Sequence, residues 1–221
     1  MTDILNSGVL LRILDVLITV VAATLSITIH EVSHGFAAYK CGDNTAKAYG
    51  RLSLNPLKHI DWFGAICLVF FKFGWAKPVP VNQYNFKNRK VGIILVSLAG
   101  PLSNFIMAFI AFLLASMMVV TSYGTHLIAT FLITLVYLNI GLGVFNLIPI
   151  PPLDGSKIVA EFLKGGTKYR YLSIERYGSL ILLLVFAIGP INNIFSSFLG
   201  FFQGLVLSGY GRIIDLILGV F

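Results

Sequence analysis

The run Val16-Leu-Ile-Thr-Val-Val-Ala-Ala-Thr-Leu-Ser-Ile-Thr-Ile29, followed at once by His30-Glu31-Val32-Ser33-His34, decides how this chain is read. Residues 16–29 carry no charge, so the stretch reads as the inner part of a membrane span. An acid between two histidines at the end of such a span is costly without a partner or a metal. On a helix, His30 and His34 project from one face about one turn apart. Their imidazoles can then share one Zn²⁺, with Glu31 beside the metal as a base rather than a ligand. The bland alternative is two interfacial histidines and a glutamate reaching for water.

Composition supports the span. Of the 221 residues, 57% are hydrophobic and 11% charged, and mean hydropathy is +0.88. A soluble domain carries about 25% charged residues, so there are too few charges to cover a water-facing surface. A soluble enzyme, a disulfide scaffold and a disordered chain are excluded, and one polytopic membrane domain over 1–221 remains. The net charge of +7 follows from basic residues gathered in cytoplasmic loops, so no nucleic-acid partner is expected. Cys41 and Cys67 form no CxxC pair, and the N-terminus does not look like a cleavable signal peptide.

Working outward, the first apolar segment runs from about Val9 to Tyr39, with Arg12 and Asp15 expected to pair at its outer end. A second runs from Val91 to about Tyr123, a third from His126 to Ile148. A last apolar region, 177–221, is interrupted at Gly189-Pro190 and Asn192-Asn193 and reads as two spans or a helical hairpin. Trp62–Phe71 is too short to cross a ~30 Å core and has basic stretches on both sides, so it reads as re-entrant or interfacial. The expected fold is all-α and polytopic, with about five transmembrane helices around a three-helix catalytic core at about 9–160. If 62–71 does not cross, the first and third segments end on the same, cytosolic, side.

That parity matters because Asn146-Leu-Ile-Pro-Ile-Pro-Pro-Leu-Asp154-Gly155 follows the third segment. A catalytic zinc site wants three protein ligands and one open position. Asp154, presented from a proline-broken backbone, is a candidate third ligand; it could equally be the N-cap of a helix over 155–163. His59 lies on the same side and competes with it.

Taken together, HEVSH at 30–34, GRLSLNPLKHID at 50–61, GWAKPVPVN at 74–82, AGPLSN at 99–104 and NLIPIPPLDG at 146–155 resemble the motifs of the site-2 protease family of intramembrane zinc metalloproteases. The likeness is to small members without added regulatory domains, and it covers most of residues 25–160. Trp62 stands where relatives often carry proline. The resemblance implies that His30, His34 and Asp154 are the Zn²⁺ ligands and Glu31 the catalytic acid/base, settling Asp154 over His59. It implies hydrolysis of peptide bonds in or near transmembrane segments by zinc-activated water, in a prokaryotic cell membrane with the site toward the cytosol. Partners are then transmembrane substrates and membrane lipid.

A helical substrate hides its peptide bonds and must unwind before attack. Small β elements on the cytosolic side, at Tyr49–Leu54 and Lys77–Val81, could hold it by strand addition, or could merely seal that face. The substrate-binding candidates are therefore Arg51, Leu52, Ser53 and Leu54, together with Asn146 and Asn104 from the family motifs. For both asparagines a helix-packing role is the alternative. Two rival functions are a metal-ion transporter and an inactive metal-binding protein that only engages membrane partners. The sequence leaves the oligomeric state open.

Overall fold

The computed structural model describes residues 2–62, 64, 77–121, 126–178, 180 and 189–218. In chain order its helices are α1 (Thr2–Cys41), the short α2 (Thr45–Ala48), α3 (Arg89–Thr121), α4 (His126–Leu147), α5 (Asp154–Ala160), α6 (Gly165–Ser173) and α7 (Gly189–Leu218). Helices α1, α3 and α4 contain the stretches Gly8–Cys41, Arg89–Met118 and His126–Leu147, each long and apolar enough to cross a membrane. At 1.5 Å per residue, the 22 residues of α4 span about 33 Å, close to the ~30 Å hydrocarbon core. Hydroxyls in the first span do not break it, because they return their hydrogen bonds to the preceding turn. Thr24, Ser26, Thr28 and Ser33 donate to the carbonyls of Val20, Ala22, Thr24 and Ile29.

Lipid gives helices no hydrophobic reason to associate, so close packing of small residues must hold them together. The body of the molecule shows this. Helix α3 packs on α1 and on α4, and α1 packs on α4. Ala22, Ala108 and Ala111 are buried against Leu132, Leu135, Val136, Ile140 and Val144. Gly143 admits the Phe105 ring, since a Cβ there would sit 2.9 Å from it. The opposite faces expose Val16, Leu17, Ile106, Ile110, Ile128 and Ile133. Apolar surface of this extent belongs in lipid, and the chain is an integral membrane protein.

The proline turn after α4 folds back so that α5 packs on α3 and α4. The Tyr171 hydroxyl donates to the Pro149 carbonyl at 2.7 Å and ties α6 to that turn. Helix α7 lies on α4 and α3, where the Tyr210 hydroxyl donates to the Phe105 carbonyl at 2.6 Å.

Three expectations change here. The small β elements are not formed: among the described residues there is no strand. Pro78 and Pro80 have no N–H to give a ladder, and the donors between them are used elsewhere. Residues 77–82 instead form an extended strap stitched by single bonds. Lys77 N–H reaches the His59 carbonyl at 3.0 Å, Arg51 Nη2 donates to the Lys77 carbonyl at 2.7 Å, and Asn82 N–H reaches Asp43 at 2.7 Å. Arg12 and Asp15 make no ion pair; both are exposed, where a pair gains at most about 1 kcal/mol. Asn192-Asn193 do not interrupt the chain: they lie inside α7, which is described from Gly189. The expected boundary between two C-terminal spans abuts 181–188, which fall outside the described residues. The expected re-entrant segment, Trp62–Phe71, lies outside them as well, apart from 62 and 64.

Candidate metal centre

Helix α1 carries His30 and His34 one turn apart, and the N-terminus of α5 delivers Asp154 to the same point. His34 Nε2 lies 2.9 Å from His30 Nε2 and 3.0 Å from Asp154 Oδ2, and His30 Nε2 lies 3.3 Å from the same oxygen. All three side chains are buried. Two glycines make the approach possible. A Cβ on Gly100 of α3 would sit 2.5 Å from His34 Nε2 and 2.6 Å from His30 Cε1, and one on Gly155 would run into the Leu147 carbonyl.

The far nitrogens of the two rings are also engaged. His34 Nδ1 is 2.7 Å from the Val96 carbonyl, which can only accept, so Nδ1 carries the hydrogen. His30 Nδ1 is 2.6 Å from Asn104 Oδ1. In the neutral rings, both Nε2 atoms therefore present lone pairs toward each other and toward a carboxylate. Three acceptors facing one another with no donor among them call for a cation at their centre. Tetrahedral zinc with nitrogen and oxygen ligands at about 2.0–2.1 Å needs its ligand atoms about 3.3 Å apart, and the observed edges are close to this. The donor set fits Zn²⁺: two imidazoles and a carboxylate leave a fourth position open. Asp154 Oδ1, the other oxygen, pairs with Lys157 Nζ at 3.1 Å.

Glu31 lines a cleft of about 360 Å³ together with His30, His34, Asp154, Asn146 and Lys157. Its Oε2 accepts the Val79 N–H at 2.8 Å, so the strap lies directly over the acid. The apolar lining of the cleft is Val79, Val81, Phe86, Ile93 and Val96. The strap itself hangs on Asp43, a buried carboxylate that accepts from the Thr45 N–H and hydroxyl, from Asn82 N–H and from Asn85 Nδ2. Burial alone would push the Asp43 carboxyl upward. Those hydrogen bonds outweigh burial and hold it below the usual carboxylate range.

The structure brings together His30, Glu31, His34, Asp154 and Asn146. Asp154 opens α5 without capping it through its side chain: the N-cap residue is Leu153. His59 is elsewhere, with its ring Nε2 donating to the Ser53 carbonyl at 2.8 Å. Arg51, Leu52, Ser53 and Leu54 do not line the cleft; its edge is formed by 78–81. Arg51 ties the loop to the strap, and Leu52 packs over Gly35. Asn146 bonds back to the Leu142 carbonyl at 2.9 Å within α4. Asn104 is fully buried behind His30 and has no surface in the cleft. Sequence reasoning missed Ser26, Asn139, Gly100, Lys157 and the Val79 N–H. Ser26 and Asn139 were findable: one lies four residues before His30 on the same helix face, the other is an amide inside an apolar span.

The sequence profile of Peptidase family M50 matches residues 116–185, a stretch that includes Asp154. YwhC of Bacillus subtilis (strain 168) is 43% identical over 174 residues, covering 76% of this chain and 78% of its own length. This chain belongs to peptidase family M50. Rip2 of Mycolicibacterium smegmatis (strain ATCC 700084 / mc(2)155) is 29% identical over 192 residues, covering 84% of this chain and 73% of that protein. MJ0392 of Methanocaldococcus jannaschii is 27% identical over 198 residues, covering 87% of this chain and 48% of that protein. All three have "zinc metalloprotease" in their names. No solved structure matches. The M50 chain is accordingly a zinc metalloendopeptidase, and the site-2 protease resemblance read from its motifs is borne out.

Proposed function

We propose that this M50 chain is an intramembrane endopeptidase that hydrolyses peptide bonds in or near transmembrane segments of other membrane proteins. His30, His34 and Asp154 hold the zinc and Glu31 is the general base and acid. The observation that carries the reading is the convergence of three facing acceptors, with Glu31 beside them, at the ends of apolar helices. Bound zinc supplies a lowered pKa for water and a Lewis acid for the scissile carbonyl. Glu31 takes the proton of the attacking water and later hands it to the leaving amine. Its Oε2 is held by the Val79 N–H, and Oε1, the second acceptor of the carboxylate, can take that proton with the strap in place. The unwound substrate segment would enter the cleft that Glu31 lines. No side-chain nucleophile is involved, and no acyl-enzyme is expected.

The chain works as one domain over 1–221, with the catalytic core at about 9–160 and further crossings bringing the total to about five. The basic loops support a site that faces the cytosol of a prokaryotic cell. The test uses the purified chain in liposomes with a single-span reporter protein. The parent should cleave it, and Glu31→Gln should keep stoichiometric zinc while losing cleavage. Full proteolysis by that variant would remove Glu31 from the chemistry. Zinc flux without cleavage by the parent would replace the protease by a transporter.

A further inference from the structure

Behind the metal-facing side of His30, three side chains from three helices form a closed polar chain in an otherwise apolar interior. Ser26 of α1, Asn104 of α3 and Asn139 of α4 are each fully buried. Asn139 Nδ2 lies 2.8 Å from the Leu135 carbonyl and 2.7 Å from Ser26 Oγ, while the Ser26 hydroxyl donates to the Ala22 carbonyl at 2.7 Å. Asn104 Nδ2 lies 2.7 Å from Asn139 Oδ1, and Asn104 Oδ1 lies 2.6 Å from His30 Nδ1.

The direction of every bond in this chain follows from two backbone carbonyls. The Leu135 carbonyl cannot donate, so the amide atom against it is the NH₂ of Asn139, whose other hydrogen goes to Ser26 because the serine hydrogen is committed to Ala22. The oxygen of Asn139 then faces Asn104 and demands its NH₂. That leaves the oxygen of Asn104 against His30, so Nδ1 carries the hydrogen and Nε2 the lone pair. A turned Asn104 amide would set oxygen against oxygen at Asn139, and a buried unsatisfied pair costs about 1–3 kcal/mol. Helix packing alone explains why two buried amides bond to each other. It does not explain why the free end of the pair points at a candidate ligand.

We propose that Asn104 is a positioning residue for His30. Its amide, held in one sense by Asn139 and Ser26, keeps His30 as the Nδ1–H tautomer with Nε2 aimed at the metal. The proposal rests on the zinc reading of His30, His34 and Asp154. Partners that orient a metal-bound histidine typically contribute 10–100-fold in metal affinity.

The test is a chelator competition for Zn²⁺ on the full chain in detergent micelles, with Co²⁺ absorption as a second readout of ligand geometry. Asn104→Leu removes the acceptor and should weaken zinc about 10–100-fold and alter the Co²⁺ spectrum. Asn104→Asp keeps an acceptor on His30 and should hold zinc close to the parent. Asn139→Leu, which touches neither His30 nor the cleft, should also weaken zinc because it frees the Asn104 amide to turn. A mere packing role predicts the reverse order, since Asn104→Asp sets an oxygen against Asn139 Oδ1 and Asn104→Leu does not. Parent-like zinc binding by Asn104→Leu overturns the proposal. Should the variants fold poorly, ¹⁵N spectra of the zinc-free parent decide: Nδ1–H at His30 supports the proposal, and Nε2–H overturns it. A parent chain that binds no zinc defeats the metal reading instead, and the tautomer still reports on Asn104.

Discussion

The two sides of the cleft are built differently. On the metal side, His30, His34 and Asp154 rise from helices, with buried partners behind the rings in Asn104 and the Val96 carbonyl. On the opposite side, residues 77–82 form a strap with two prolines, held by single bonds to His59, Arg51, Glu31 and Asp43. The first side is fixed by close packing between helices and the second by a few polar ties. A preorganised set of candidate ligands facing a loosely tied strap suits the proposed reaction, which must admit an extended segment without disturbing them. Substitutions on the metal side should therefore change zinc affinity, and substitutions on the strap side should change turnover with zinc retained.

The largest effect is expected where the two sides meet. Glu31→Gln should lower peptide hydrolysis by about 10²–10⁴-fold with zinc content unchanged, measured by reporter cleavage and metal analysis on one sample. Next is Gly100→Ala, a single methyl 2.5 Å from His34 Nε2. It should displace both rings and weaken zinc at least about tenfold, read by chelator competition. Parent-like affinity would mean the rings are not held as tightly as their packing implies.

Asp43→Ala should act on the strap alone. It leaves four donors in search of partners and should destabilise the loop by about 1–3 kcal/mol. The expected signs are faster hydrogen exchange at 79–85, reduced cleavage and unchanged zinc affinity. A loss of zinc would show that the two sides are not separable.

The smallest effect is a pH dependence of the same tie. Because the Asp43 carboxyl titrates below its ordinary value, its contribution is fully present above the unfolded pKa of about 3.9. That contribution is lost as pH falls through the folded value. Amide protection at 79–85, taken relative to the intrinsic exchange rate at each pH, should therefore fall in acid, and Asp43→Asn should flatten that fall. An identical acid response in the two proteins would assign it to another group.

Part of the metal side was legible from periodicity and parity. A four-residue histidine spacing fixes one helix face, and two spans ending on the same side put Asp154 and His59 alike within reach of 30–34; the choice of Asp154 came from the family resemblance. The Ser26–Asn139–Asn104 chain was not legible. It depends on how three helices are rotated about one another, which no single span encodes. The strap misled for another reason: the alternation in Lys77-Pro-Val-Pro-Val81 matches a strand edge, but two of its residues lack the N–H that a ladder needs. Asn192-Asn193 reads as a break, yet Asn193 is exposed on the surface of α7, where an asparagine costs a helix under about 0.7 kcal/mol.

The central claim is that two imidazoles and one carboxylate, drawn from stretches more than a hundred residues apart in sequence, hold one metal. X-ray absorption at the zinc edge of the purified chain tests it most directly. The expected spectrum has only nitrogen and oxygen neighbours at about 2.0–2.1 Å, with imidazole outer-shell scattering that His34→Ala reduces and Asp154→Ala leaves in place. A sulfur shell at about 2.3 Å, or a folded chain without zinc, would contradict it.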